Sequence, residues 1–204
     1  MRGIIVLVRF ITLITLLFTG LVNGAQFQEG VHYKVVNGLS ESAPNVVREY
    51  FSYNCGHCKN FDPVLKVIMD EVGDAATLER TPVGFNRTSW QLSAKGYYLS
   101  EILGVTEQTH EAFFHQIHNL GQPFTTDSQL RNFFINHGIS PMQYDAAAAG
   151  SELKMAISNG DSRASLAGLK GVPSVVVGGK YLIVNPGKTV KDYVALVKYL
   201  STLP

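Results

Sequence analysis

Hydrophobic positions along the chain follow two different periods, which separate strand-rich segments from a helical one. Residues 33–36 and 45–52 are rich in β-branched and aromatic side chains, and the second run is typical of a strand buried on both faces. Residues 61–72 then place apolar side chains on one helical face, and Gly73 follows them. Residues 77–85 predict another strand. The order β-β-α-β is typical of the start of an α/β sheet.

Strand signals are absent from residue 89 to about residue 164. The spacing of apolar side chains there predicts four helices, over residues 92–103, 107–120, 128–137 and 143–158.

The strand pattern resumes after this helical segment. Strands are predicted at residues 174–177 and 180–184, joined by a tight turn at Gly178-Gly179, and Thr189 starts a last helix. We therefore predict an α/β fold with a central mixed β-sheet and an inserted α-helical domain. Residues 25–88 and 165–204 would form the sheet domain, and residues 89–164 the insertion.

The first 24 residues have the pattern of a secretory signal peptide. Arg2 precedes an apolar stretch at residues 10–21, and Val22 and Gly24 suit cleavage after Gly24. The alternative is a membrane anchor, but the uncharged run after Arg9 is too short for a comfortable span of about 20 residues.

Charge gives little indication of a nucleic-acid or membrane partner. The leader contains two of the 17 basic residues and none of the 16 acidic ones, so the mature chain has a net charge of −1. A near-neutral chain favours neither nucleic acid nor an anionic membrane surface.

The only two cysteines of the chain lie in one motif, Cys55-Gly-His-Cys58, directly after the central strand. A disulfide between them would close a loop of two residues and remove little entropy from the unfolded chain, so a structural staple is a poor explanation. A zinc site would need further ligands, and there is no second cysteine pair. A haem-attachment motif would need His at residue 59, which is Lys. The pair is therefore predicted to be redox-active, without a metal or another cofactor.

The start of a helix suits this chemistry. Unpaired backbone N–H groups and the positive helix end would stabilise a thiolate at Cys55, and the thiolate is the attacking species in disulfide exchange. Cys58 can close a disulfide with Cys55 or resolve a mixed disulfide with substrate. His57 can donate charge or a hydrogen bond to the Cys55 sulfur, which makes the oxidised form more reactive.

Three histidines, His110, His115 and His118, lie in one predicted helix. The spacing of the first two is one residue longer than that of a zinc-protease helix, and no further ligands are evident. We expect solvated or capping roles for them.

The motif and its surroundings resemble the DsbA family of bacterial periplasmic disulfide oxidoreductases, which has a thioredoxin-like fold. The resemblance rests on residues 51–53 leading into the cysteine motif, on the helical insertion and on Gly171-Val172-Pro173 before a hairpin. It covers essentially the whole mature chain. It implies a periplasmic thiol:disulfide interchange enzyme that introduces disulfide bonds into exported proteins, with Cys55 as the exposed nucleophile and Cys58 as its buried partner.

The resemblance also implies partners and further site residues. Reduced or unfolded exported proteins would be the substrates, a quinone-linked membrane oxidase of the DsbB type would restore the disulfide, and the protein would act as a monomer. Val172 and Pro173 match the loop with a cis proline that guides an extended substrate. Glu49 matches a buried acid that could relay protons to Cys58. Arg80 stands where relatives often have Lys, and because Arg does not titrate, a proton shuttle through this cation is not expected.

Gly56 departs from the family pattern, since many DsbA proteins have Pro there and Gly-His is typical of disulfide isomerases. The potentials of the two classes differ by about 60 mV, so we expect a somewhat milder oxidant, with a potential above about −200 mV. An isomerase or reductase remains the first alternative, although the extra N-terminal dimerisation region of DsbC-type isomerases has no counterpart here. A redox-inactive chaperone is a second alternative, which the intact cysteine pair disfavours.

Overall fold

The computed structural model describes residues 26–36 and 39–204 of the chain, so the predicted signal peptide lies outside the described residues. The described residues form five strands and seven α-helices. In chain order these are β1 (Tyr33–Val35), β2 (Val46–Phe51), α1 (Gly56–Val72), β3 (Thr77–Pro82), α2 (Thr88–Ile102), α3 (Thr106–Phe114), α4 (Asp127–Asn136), α5 (Pro141–Ala149), α6 (Ser151–Leu166), β4 (Ser174–Val177), β5 (Tyr181–Ile183) and α7 (Val190–Leu200). None of these helices is long and apolar enough to cross a bilayer.

The five strands form one sheet in the order β1-β5-β4-β2-β3. β2 runs parallel to β3 and antiparallel to β4, which confirms the predicted mixed sheet. All six residues of β2 are buried, as its continuous apolar pattern indicates. The parallel register of β2 and β3 places Glu49 opposite Arg80.

Helices α1 and α7 pack on one face of the sheet. Leu65 and Ile68 of α1 and Leu196 and Leu200 of α7 have no solvent exposure. Burying each of these side chains contributes about 1.5–3 kcal/mol, so this layer fixes the position of α1 and of the cysteine motif at its start.

Helices α2 to α6 contain a second core that is rich in aromatic rings. Phe113 of α3 stacks on Tyr53, with 4.6 Å between ring centroids, and so connects this core to the turn before α1. Gly96 allows α2 to lie close to the Phe113 ring, because a Cβ at residue 96 would be only 2.5 Å from that ring. The helical segment therefore packs directly against the turn that leads into the cysteine pair.

Two of the predicted helices are wrong in outline. The single helix predicted at residues 143–158 is two helices, because Gly150 is extended with ψ 151°, and α6 continues to Leu166. The helix predicted at residues 107–120 widens into a π-helical segment, His115–Asn119.

Four of the five predicted strands are longer than the observed ones, whereas β4 has the predicted bounds. β3 ends at Pro82, which cannot donate a ladder hydrogen bond, and residues 83–85 lie beyond it. β5 excludes Lys180 and Val184. The predicted turn between β4 and β5 is confirmed, since Gly178 and Gly179 both have positive φ, as a tight hairpin requires.

Candidate active site

The end of β2 and the start of α1 position the two cysteines. Cys55 is the N-cap of α1, with φ −92° and ψ 115°, and its Sγ accepts a hydrogen bond of 3.3 Å from the backbone N–H of Cys58. Both thiols are free. The first turn of α1 thus holds the two side chains next to each other, with one sulfur directed at unpaired N–H groups of the helix.

The two sulfurs differ in accessibility. Cys58 is fully buried and Cys55 retains 8% of its surface. Cys55 is therefore less exposed than predicted, since the helix turn and the Val172 carbonyl lie against it, but it is the more accessible of the two. Burial raises the pKa of the Cys58 thiol well above its usual range, and the hydrogen bond with Cys55 and the nearby charge of Glu49 raise it further.

The loop before β4 lies against Cys55. The Val172–Pro173 peptide bond is cis, and the Cys55 thiol donates a hydrogen bond of 3.4 Å to the Val172 carbonyl. A groove of about 680 Å³ extends along this loop and is lined by residues of β1, β5 and the segment 167–174. Val172, whose carbonyl accepts the hydrogen bond from Cys55, is the lining residue that connects this groove to the cysteine pair.

The acid predicted beneath the site is buried and ion-paired. Glu49 is 1% exposed, and Arg80 Nε donates to its carboxylate at 2.9 Å. Burial raises the pKa of Glu49 to about 7, against the opposing effect of the Arg80 charge. Glu49 can therefore hold a proton near neutral pH, and it lies close enough to Cys58 for its charge to raise the pKa of that thiol. His57, by contrast, is exposed on the first turn of α1.

Four residues that were not predicted to belong to the site also contact it, namely Tyr53, Asp62, His110 and His118. Arg80 donates a second hydrogen bond to Asp62 of α1, and the same Asp62 oxygen lies 2.9 Å from Nε2 of His110. His110 Nδ1 lies 2.8 Å from the Tyr53 hydroxyl, and His118 Nε2 donates to the Tyr53 carbonyl at 2.7 Å.

The expectation of solvated or capping histidines is wrong for His110 and His118. Two features of the sequence could have indicated these contacts. Tyr53 is an aromatic residue two positions before the cysteine motif, and Asp62 is an acid one helical turn after Cys58. His115 is exposed, as expected. Among the described residues, no cluster of three or more His, Cys, Asp or Glu side chains is arranged to hold a metal ion.

Comparison of the sequence with known proteins indicates the DsbA family. The family model of the DSBA-like thioredoxin domain matches residues 66–196, which begin after the cysteine pair. The thiol:disulfide interchange protein DsbA of Yersinia pestis is 30% identical over 191 residues, covering 89% of this chain and 91% of that protein. DsbA of Escherichia coli K12 is 29% identical over 196 residues, covering 88% and 90%.

Solved structures of high similarity include DsbA proteins. A DsbA variant of Proteus mirabilis with a non-covalently bound peptide superposes with a TM-score of 0.77 and 25% identity, covering 88% of this chain and all of that one. DsbA of Xylella fastidiosa has a TM-score of 0.75 and 25% identity, covering 86% and 96%.

Proposed function

Because the chain belongs to the DsbA-like thioredoxin family, we propose that it is a thiol:disulfide oxidoreductase that introduces disulfide bonds into exported proteins through Cys55 and Cys58. The observation that carries this proposal is the pair of sulfurs at the start of α1, one accessible and one buried. The mixed sheet and the fold shared with DsbA structures support it.

The proposed reaction begins with the Cys55–Cys58 disulfide. A substrate thiolate attacks Cys55, the bond between the two enzyme sulfurs breaks, and Cys58 leaves as a thiolate that takes a proton from Glu49. A second substrate thiolate then attacks the substrate sulfur of the mixed disulfide and releases Cys55. Two electrons pass from the substrate sulfurs to the enzyme sulfurs, and the substrate gains one disulfide.

The residues around the pair have distinct proposed roles. Attack falls on Cys55 because Cys58 is inaccessible. The high pKa of the buried Cys58 thiol opposes its departure as an anion, so a proton donor beside it speeds the step. Val172 and Pro173 guide the extended substrate, a role supported by the groove along their loop. His57 acts from the exposed first turn on the Cys55 sulfur.

We further propose the setting of the reaction. The leader at residues 1–24 would direct the protein to the periplasm, where disulfides persist. A quinone-linked membrane oxidase of the DsbB type would reoxidise it, and the enzyme would act as a monomer without a cofactor.

A trapping experiment tests the roles of the two cysteines. With Cys58→Ala, the Cys55 thiolate attacks a peptide whose single cysteine is disulfide-bonded to a nitrothiobenzoate group, and the nitrothiobenzoate leaves as a thiolate. Because no second enzyme sulfur resolves the product, the Cys55–peptide mixed disulfide should accumulate and be visible by mass spectrometry. With Cys55→Ala, no such adduct should form, because the remaining sulfur is buried. Equal trapping by both variants would contradict the assigned roles.

Complementation tests the direction of the reaction. Expression of the full chain in a strain that lacks its periplasmic oxidase should restore motility, which depends on a disulfide bond. Well-expressed protein that fails to do so would favour the alternative, an isomerase or reductase. The observation behind that alternative is Gly56, since the Gly-His dipeptide is typical of isomerases.

A further inference from the structure

A chain of hydrogen-bonded side chains extends from beneath the active-site cysteines to the turn that precedes them. Arg80 bridges two carboxylates, with Nε 2.9 Å from Glu49 and Nη2 2.9 Å from Asp62. His110 bridges Asp62 and the Tyr53 hydroxyl, at 2.9 and 2.8 Å. The five residues come from β2, the turn after it, α1, β3 and α3, so the chain connects the sheet, the cysteine helix and the helical segment.

The charges of this cluster balance only when it holds one proton. Glu49 and Asp62, if both ionised, carry two negative charges against the single positive charge of Arg80. A proton on either Glu49 or His110 makes the cluster neutral. A buried net charge is costly, and Arg does not titrate, so these two positions are where the balancing proton can reside.

We propose that His110 takes up a proton from solvent when Glu49 gives its own proton to Cys58, so that the cluster stays neutral during disulfide exchange. This inference rests on the proposed function, because it concerns the proton that Cys58 gains in that reaction. On reduction, Glu49 loses one proton, Cys58 gains it and His110 gains another from solvent. Reoxidation reverses all three transfers. His110 acts through Glu49 and is a positioning residue rather than a catalytic one.

Exposure along the chain supports this direction of transfer. The side chain of Glu49 is 1% exposed, whereas those of His110 and Asp62 are 14% and 26% exposed. His110 is therefore more open to solvent than Glu49, although Arg80, at 20%, and Asp62 are more exposed still. Burial alone would raise the pKa of Asp62, but the hydrogen bond with His110 and the charge of Arg80 lower it, so Asp62 stays ionised in both states.

The hydrogen bonds of His110 suit both protonation states. Nε2–H donates to the Asp62 carboxylate in either state. The neutral ring accepts the Tyr53 O–H at Nδ1, and the charged ring donates Nδ1–H to the same oxygen. Burial raises the pKa of Tyr53 well above its usual range, so the hydroxyl remains protonated in both cases.

The other groups around the cluster do not compete for the proton. His110 also faces the rings of Phe51 and Phe114, which do not titrate. Tyr97 of α2 lies near Arg80 and stays protonated, because burial raises its pKa. Its hydroxyl donates to Glu101, whose carboxylate makes no hydrogen bond with the cluster. On the α7 side, Glu49 acts on Tyr193, whose pKa burial also raises.

NMR of the histidine rings tests the proposal directly in the wild-type protein. The dithiol and disulfide forms are prepared chemically, with dithiothreitol and with oxidised glutathione, so the comparison does not depend on activity toward protein substrates. At neutral pH the His110 ring should shift toward the imidazolium form on reduction. The exposed His115 on the same helical stretch should not change. An unchanged His110 ring would overturn the proposal.

Two variants separate this effect from a structural one. In Glu49→Gln, residue 49 has no proton to give, so the redox-dependent shift of His110 should disappear. In His110→Gln, only Glu49 can hold the balancing proton, so Glu49 should stay protonated in the dithiol form. Redox-difference infrared spectroscopy near neutral pH should then show no loss of the protonated-carboxyl band on reduction, whereas the wild type should lose this band.

His115→Gln is the matched control and should lose the protonated-carboxyl band on reduction as the wild type does. Equal loss of this band in His110→Gln and the wild type would overturn the proposal. A wild-type protein that shows the NMR shift but fails to oxidise reduced substrates would instead contradict the proposed function.

Discussion

At the scale of single residues, burial differentiates side chains of the same type. Cys55 and Cys58 are three residues apart, but one lies at the helix N-cap with residual exposure and the other has none. Glu49 and Asp62 both bind Arg80, yet burial dominates at Glu49 and raises its pKa to about 7, whereas His110 and Arg80 lower the pKa of Asp62. The proton donor that we propose is therefore a carboxyl group whose pKa lies near neutral pH.

The raised pKa of Glu49 predicts how the free energy of unfolding depends on pH. Because the folded-state pKa of Glu49 lies above its ordinary value of 4.5, its contribution is fully present below pH 4.5 and is lost as the pH rises through about 7. The loss amounts to roughly 3 kcal/mol. Glu49→Gln should remove this part of the decline in the free energy of unfolding, measured by urea denaturation of the disulfide form between pH 4 and 8.

The control for this prediction is Glu111→Gln, which changes an exposed acid on α3. It should retain the wild-type decline. A decline of wild-type size in Glu49→Gln would mean that Glu49 ionises without a burial cost.

At the scale of secondary structure, the first turn of α1 determines the geometry of the cysteine pair. Gly56 is the first residue of this helix, a position that favours Pro. A Cβ at Gly56 would meet nothing within 4 Å, and Cys55 has the extended backbone that a residue before Pro adopts. The fold therefore accepts the Pro that many relatives have at this position.

Gly56→Pro should accordingly fold and gain about 0.4–1 kcal/mol in free energy of unfolding, because the unfolded chain loses freedom. We expect its reduction potential to rise by at most about 60 mV, the difference between disulfide isomerase and DsbA. Urea denaturation and glutathione titration measure the two effects. Gly56→Ala serves as the control that restricts the chain without adding a ring, and a folded Gly56→Pro with an unchanged potential would contradict the expectation.

The elements that the sequence predicted well are those with a strong local signal. The continuous apolar run of β2, the amphipathic α1 and the Gly178-Gly179 turn are all confirmed. The break at Gly150 was missed because its backbone is extended with φ −63°, a conformation open to any residue. Its sequence context of alanines favours a continuous helix.

At the scale of the whole molecule, the site is assembled from segments far apart in the chain. The cysteine motif and the buried acid were predictable because motif and strand pattern are local. The contacts of His110 and His118 with Tyr53 were not, because they depend on how α3 and the π-helical segment pack against the turn before α1. The inserted helical domain remains a prediction as a unit, but its aromatic core packs on the active-site turn through Phe113 and Tyr53.

The equilibrium of the Cys55–Cys58 pair with glutathione gives the reduction potential that separates an oxidant from a reductant. An oxidant of exported proteins should have a reduction potential above about −200 mV. Disulfide isomerase, at about −180 mV, and DsbA, at about −120 mV, both meet this criterion. A thioredoxin-like value near −270 mV would contradict the account, because such a dithiol reduces its partners.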